Sequence, residues 1–113
     1  MSARITRQHH GALTVIRPGV PLIEDAAAAF RDDAADAIRA CAGRVAFDLS
    51  GAPYLDSDGI ESLLDIADAL GAAGQPARLI AVNDTVAEAL RITGARNAFR
   101  FFDEPADAAR DLA

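Results

Sequence analysis

Residues 45–64, VAFDLSGAPYLDSDGIESLL, join a strand pattern to a helix pattern through a short turn. Val45, Phe47 and Leu49 alternate with small or polar residues, which predicts a central β-strand with one strongly apolar face. Glycine and proline at residues 51–53 turn the chain. Farther on, apolar residues recur every three or four positions and predict an amphipathic helix; they are Ile60, Leu63, Leu64, Ala67 and Leu70. The stretch therefore predicts a strand–turn–helix unit.

The rest of the chain continues the alternation of strands and helices. The predicted elements are strands at Ile5–His9 and Leu13–Arg17, a helix from Ile23 through Cys41 that ends at Gly43, a strand at Arg78–Val82, a helix capped by Asp84 or Thr85 that runs to Ile92, a strand at Phe99–Phe102, and a last helix from Pro105. Crossover helices join parallel strands, whereas the first two strands form a hairpin. We therefore expect an α/β fold with a small mixed sheet of four to five strands and about four helices.

Length and composition set the class of protein. The 113 residues suffice for one core, so a single domain over residues 1–113 is expected. A single cysteine excludes an internal disulfide, and no leading segment resembles a signal peptide, which together favour a reducing, cytoplasmic location. Charges interrupt every apolar run before the roughly 18 residues that a bilayer span requires, so the protein is not expected to be membrane-embedded.

The net charge limits the partners. Seventeen acidic residues against 11 basic ones give a formal charge of -6. This balance repels nucleic acid and anionic lipid, and it favours a basic protein surface as the partner.

No catalytic, metal or cofactor site is predicted. Cys41 lies on the apolar stripe of an alanine-rich helix with no histidine near it in sequence, which predicts a buried and inert thiol. On a strand, His9 and His10 would point to opposite faces and could not ligate one metal. Phosphate-binding and dinucleotide-binding glycine motifs and paired cysteines are absent from the sequence. If Gly59 is aligned with the invariant glycine of a calcium loop, Tyr54 falls where the first aspartate must be.

Residues 56–59, DSDG, form an oxygen-rich turn at the predicted helix start. Free backbone N–H groups and the helix dipole make such a place favourable for negative charge. Asp56, Ser57 or Asp58 can each serve as the N-cap, and Asp58 with Glu61 has the spacing of a capping box. These acids either only start the helix, contributing about 0.5 to 2 kcal/mol, or they also form a binding surface.

The central segments resemble the STAS domain family of sulphate transporters and anti-sigma factor antagonists. The resemblance is carried by Val45–Gly51, by Tyr54–Ile60 and by the pair Leu63-Leu64. It implies a non-enzymatic switch. In stand-alone bacterial members, an anti-sigma kinase phosphorylates the serine immediately before the glycine of a D-S-S-G loop. The unmodified form binds that kinase and frees a sigma factor.

This sequence departs from the family at the phosphoacceptor. Asp58 stands at the position of the phosphorylated serine, with Ser57 beside it. A serine kinase cannot modify an aspartate, which carries one negative charge where phosphoserine carries about -1.5 to -2. The resemblance therefore implies an anti-sigma factor antagonist-like protein in which Asp58 is phosphomimetic or makes binding independent of phosphorylation. Ser57 is the alternative phosphorylation site.

Acidic residues continue along the predicted helix. Asp58, Glu61, Asp65 and Asp68 follow each other at three- or four-residue spacings, which places them along one helix edge. Such a stripe is either a solvated face or a docking surface for a basic partner. The expected partner-binding residues are Asp56, Ser57, Asp58, Gly59, Ile60, Glu61, Asp65 and Asp68.

Three functions remain open at this point. The first partner expected from the resemblance is an anti-sigma factor of the serine kinase type. The second is the ATPase subunit of a lipid-transport ABC transporter, for which the domain would be a regulatory subunit. The third function is a small-molecule or nucleotide sensor, which would need a pocket near residues 56–59.

Overall fold

A computed structural model describes residues 5–112 and confirms the α/β fold. Its elements in chain order are β1 (Ile5–His10), β2 (Leu13–Pro18), α1 (Glu24–Ala40), β3 (Val45–Asp48), α2 (Ser57–Ala72), β4 (Ala77–Ile80), α3 (Asp84–Ile92), a 3-10 turn (Arg96–Ala98), β5 (Phe99–Phe102) and α4 (Pro105–Leu112). The sheet has the order β1-β2-β3-β4-β5. β1 and β2 form an antiparallel hairpin, and the other neighbouring strands are parallel.

β3 lies in the middle of the sheet, as its alternating pattern predicts. Val45, Phe47 and Leu49 belong to the larger core, which also receives the buried residues of α1, α2 and α3. In that core the rings of Phe30 and Phe47 meet edge to face with centroids 5.5 Å apart. Ala46 belongs instead to the smaller core, to which α4 contributes. Helices therefore pack on both sides of the sheet against the two faces of β3. Burial of Phe30 and of Phe47 contributes about 1.5 to 3 kcal/mol for each ring.

The end of α1 differs from the prediction. Its last helical residue is Ala40 and its cap is Cys41, so the residue directly after the cap is Ala42, with φ of 54°, and Gly43, with φ of 79°, is the second left-handed residue. The Gly43 N–H donates to the Ile38 carbonyl at 2.9 Å, which completes a Schellman-type helix end. Gly43 is therefore the second residue of that turn, and a Cβ there would lie 2.9 Å from Gln75 Cγ.

The boundary between β4 and α3 also differs. β4 ends at Ile80 and not at Val82, because Ala81 turns the chain with φ of 56°. Asn83 caps α3 instead of Asp84 or Thr85: its Oδ1 accepts from the Val86 N–H at 2.8 Å. Its Nδ2 donates to the Pro53 carbonyl at 3.0 Å. The amide of Asn83 thus accepts from the helix and donates to the neighbouring loop at once, which a carboxylate could not do.

α4 is fastened to the sheet by a buried guanidinium. Arg78 of β4 is 2% exposed, and its Nε donates to Asp111 Oδ2 at 2.8 Å while Nη1 donates to Gln75 Oε1 at 3.2 Å. Arg100 donates to the same carboxylate at 3.0 Å. The hydrogen bond from Arg78, helped by the charge of Arg100, lowers the pKa of Asp111 below its usual value although partial burial opposes the shift.

Within residues 5–112, every helix is too short or too polar to cross a membrane.

Candidate functional site

The start of α2 is capped by Asp56. Its Oδ1 accepts from the Gly59 N–H at 3.0 Å, so Asp56 is the N-cap among the three residues that the sequence allowed. The predicted capping box of Asp58 and Glu61 is wrong, because the helix starts before Asp58. The side chains of Asp58 and Glu61 are exposed instead of being used for capping. Capping by Asp56 therefore leaves Asp58 available to an outside partner.

The same carboxylate also fixes the start of α1. Asp56 Oδ2 accepts from the Glu24 N–H at 3.3 Å, at a residue whose φ is 48°. Nearby, Leu22 and Leu55 form a parallel β-bridge. The N-terminal ends of α1 and α2 are consequently held side by side, although they are far apart in sequence.

Gly59 makes this close approach possible. A Cβ at Gly59 would lie 2.1 Å from the Leu22 carbonyl oxygen and 2.8 Å from Leu55 Cβ. Both neighbours belong to the bridged segments and cannot move aside freely. Gly59 itself is buried, so it shapes the expected partner-binding surface from beneath.

The remaining expected site residues differ in exposure. Ser57 and Asp58 are exposed at the first turn of α2, and no other part of the described chain covers them. Asp56 and Ile60 are half-buried. Glu61, Asp65 and Asp68 are exposed farther along the helix. The structure thus presents Ser57 and Asp58 together at the surface, beside the N–H groups of a helix start.

A groove runs from this turn along the contact between α1 and α2, and we call it the acidic groove. Its volume is about 340 Å³, and its lining residues are Glu24, Asp25, Ala28 and Arg31 of α1 with Asp58, Glu61, Ser62 and Asp65 of α2. Asp68 does not line it, so only part of the predicted acidic stripe contributes. Five of the lining residues are acids, and one, Arg31, is a cation.

The contribution of α1 to the acidic groove was not predicted from the sequence. Glu24, Ala28 and Arg31 do follow a helical spacing, which places them on one face of α1. No local signal, however, shows that this face lies against the acidic edge of α2. Their joint site follows only from the packing of the two helices.

Cys41 does not lie where the sequence predicted it. It follows the last residue of α1 and is half-buried, not enclosed in the core. Its Sγ is 3.5 Å from Thr14 Oγ1, which is 3.2 Å from His9 Nδ1. His9 is therefore linked to the Cys41 thiol through the Thr14 hydroxyl. Cys41 and Thr14 are 27 residues apart, so this link could not be predicted from the sequence.

The described residues contain no group of three or more potential metal ligands placed to hold an ion.

Comparison with known proteins identifies the fold and its family. A family model described as "STAS domain" matches residues 4–108. A search of curated proteins finds no matching sequence.

Three solved structures illustrate the likeness. A STAS domain protein of Planctomyces limnophilus, described as an anti-sigma-factor antagonist, has a TM-score of 0.81 at 21% identity, with 99% of this chain and 98% of that chain covered. The anti-sigma factor antagonist SpoIIAA in its unphosphorylated form gives 0.70 at 17%, covering 98% and 96%. The murine anion transporter Slc26a9 gives 0.77 at 17% and covers 92% of this chain, which matches 18% of the transporter. At these identities the likeness shows the fold alone.

Proposed function

Because the chain belongs to the STAS domain family, we propose that it is a non-enzymatic regulatory domain that acts as an anti-sigma factor antagonist. In this proposal it binds an anti-sigma factor of the serine kinase type through the exposed start of α2. The observation that carries the proposal is the exposure of Ser57 and Asp58 on a helix start that Asp56 already caps. Because neither side chain is needed to cap α2, both are available to a partner.

Asp58 gives this surface a fixed negative charge. It occupies the position at which stand-alone family members carry a phosphorylated serine. The charge lies beside the first-turn N–H groups of α2, the place where a phosphate would be held. Asp58 therefore imitates the modified state in part, which weakens binding to the kinase, or it makes the interaction independent of phosphorylation.

Calorimetry with a purified anti-sigma serine kinase tests the proposal. If Asp58 imitates phosphate, Asp58→Ser binds the kinase about tenfold more tightly than the wild type, because the charge that imitates phosphoserine is removed. Asp58→Asn, which removes the charge without supplying a hydroxyl, should show the same gain. Equal affinity of all three proteins would support independence from phosphorylation, and no binding by any of them would reject the antagonist function.

A regulatory subunit of a transporter is the second candidate. It is favoured by the likeness to a segment of an anion transporter structure. The partner proposed for this role is the ATPase subunit of a lipid-transport ABC transporter. A co-purification experiment with that subunit separates the two candidates, since Asp58→Ser should leave transporter binding unchanged.

A nucleotide sensor is the least supported function. The cavity beside the DSDG turn is the acidic groove, whose carboxylates repel an anionic ligand. Calorimetric titration with a nucleoside triphosphate should give no binding heat.

A further inference from the structure

The acidic groove holds more negative charge than the protein itself neutralises. Five carboxylates line it, from Glu24 and Asp25 on α1 and from Asp58, Glu61 and Asp65 on α2. Arg31 is the cation among the lining residues, and its Nη1 lies 3.8 Å from Asp65 Oδ2, too far for a hydrogen bond. Glu24, Asp25 and Asp58 lie in the first turns of their helices, where the helix dipole favours negative charge. Glu61 and Asp65 lie farther along α2, at spacings where like charges repel one another, so the dipole does not account for them.

A second feature of the groove is the hydroxyl of Ser62. This residue is 2% exposed and lines the groove. Among the described residues its Oγ has no hydrogen-bond partner, yet it is not one of the buried polar atoms sealed from solvent without a partner. Because Ser62 lines the groove, a ligand there lies next to this residue. Buried polar side chains are normally paired, so this hydroxyl is a group that a ligand in the groove can complete.

The chemistry of the groove selects the ligand. Its acids do not form a cluster that could hold a metal ion, in the part of the chain that the structure describes. A compact ion would also leave most of the 340 Å³ to water. An arginine side chain suits the groove better, because its planar guanidinium offers five N–H donors to several oxygens at once, whereas lysine offers a single point charge.

We propose that the acidic groove receives an arginine side chain from the protein partner, with the Ser62 hydroxyl and the carboxylates of both helices as its acceptors. The inference rests on the proposed function, since it names the side chain that a partner bound at the DSDG turn would insert next to that turn. Arg31 then moves away from Asp65, which its long ion-pair distance allows.

The test uses the folded protein and a capped peptide in which arginine alternates with alanine. Its lysine counterpart is titrated in parallel at the same ionic strength. Calorimetry should show tighter binding of the arginine peptide, and amide NMR shifts should concentrate in residues 24–31 and 58–65. The double variant Asp58→Asn/Glu61→Gln should bind about tenfold more weakly.

Two variants control for charge and for the hydroxyl. Asp103→Asn/Glu104→Gln makes the same change in net charge at exposed residues outside the groove and should leave affinity nearly unchanged. Ser62→Ala preserves the packing of α2 and should weaken the arginine peptide about threefold without affecting the lysine peptide. Equal losses in both double variants, or equal binding of the two peptides, would overturn the proposal.

The same variants distinguish this inference from the proposed function. If the anti-sigma kinase binds the wild type and the variant Glu61→Gln/Ser62→Ala, which keeps Asp58, equally well, the groove inference is wrong while the antagonist function stands. If the arginine peptide binds in the groove but the kinase does not bind at all, the groove inference stands and the antagonist function is wrong.

Discussion

The carboxylate of Asp56 accepts the backbone N–H of Glu24 at 3.3 Å while it caps the helix that it begins. One side chain thus holds the starts of α1 and α2 together, and the DSDG turn and the acidic groove both depend on that junction. The distance between the two helix starts is set by this hydrogen bond and by the Leu22–Leu55 bridge.

Replacing Asp56 should destabilise the fold. Asp56→Ala removes the N-cap of α2 and leaves the Glu24 N–H without its acceptor, so we expect a loss of about 1 to 3 kcal/mol in the free energy of unfolding. Urea denaturation followed by circular dichroism measures the change. Asp58→Ala, at an exposed residue of the same turn, should change stability by less than about 0.5 kcal/mol. Similar losses in the two variants would contradict the double role of Asp56.

A methyl group at Gly59 should be costly. In Gly59→Ala, a Cβ on the present backbone would lie only 2.1 Å from the Leu22 carbonyl oxygen, so the backbone of the bridge has to shift. We expect a destabilisation of about 1 to 3 kcal/mol in thermal or urea unfolding.

The matched control lies on the same helix. At Gly71, which is exposed, a Cβ meets nothing within 4 Å. Gly71→Ala should therefore stabilise the protein by about 0.5 to 1 kcal/mol, since alanine has the higher helix propensity. If Gly59→Ala were also stabilising, the close contact with Leu22 would be refuted.

The attachment of α4 should depend on pH. The pKa of Asp111 is lowered in the folded protein by the hydrogen bond from Arg78. Its contribution to stability is therefore complete above the pKa of the unfolded state and is lost as the pH falls through the lower pKa of the folded state. Urea unfolding from neutral to acidic pH should show wild-type stability declining toward that of Asp111→Asn.

At neutral pH, Asp111→Asn should cost about 1.5 to 3 kcal/mol, because a charge-assisted hydrogen bond to a buried guanidinium is lost. The control is Asp68→Asn, at an exposed acid on α2, which should retain the wild-type slope. A constant difference between wild type and Asp111→Asn at every pH would contradict the role of this carboxylate.

Phosphorylation should depend on the residue at position 58. After incubation with an anti-sigma serine kinase and ATP, we expect the wild type to remain unmodified and Asp58→Ser to gain one phosphate at position 58, because only the variant has a hydroxyl immediately before Gly59. Phosphopeptide mass spectrometry locates the modification. A phosphate on Ser57 of the wild type, absent from Ser57→Ala, would instead identify Ser57 as the phosphorylation site.

The element types followed from local patterns. The alternation of β3 and the helical spacing of α2 depend on residues a few positions apart, and burial then selects the strand or the helix with one apolar side. The helix ends were less predictable. Asn83 caps α3 because it also donates to Pro53, 30 residues away, and that contact has no local signal.

Only part of the candidate site could be predicted from local sequence patterns. The DSDG turn lies within one continuous segment, so its position at a helix start and its acidic character could be predicted. Glu24, Asp25, Arg31 and Ser62 were missed, since the groove exists only where α1 lies against α2.

By itself the sequence determined the alternation of elements, the central strand, the family and the unusual aspartate at position 58. These depend on residue type and on short spacings along the chain. The tertiary structure decided that Asp56 fastens two helices, that Arg78 is buried beneath α4, and that acids from two helices share one groove. Each of these features joins segments that are distant in sequence, and their proximity is set by the packing of the whole core.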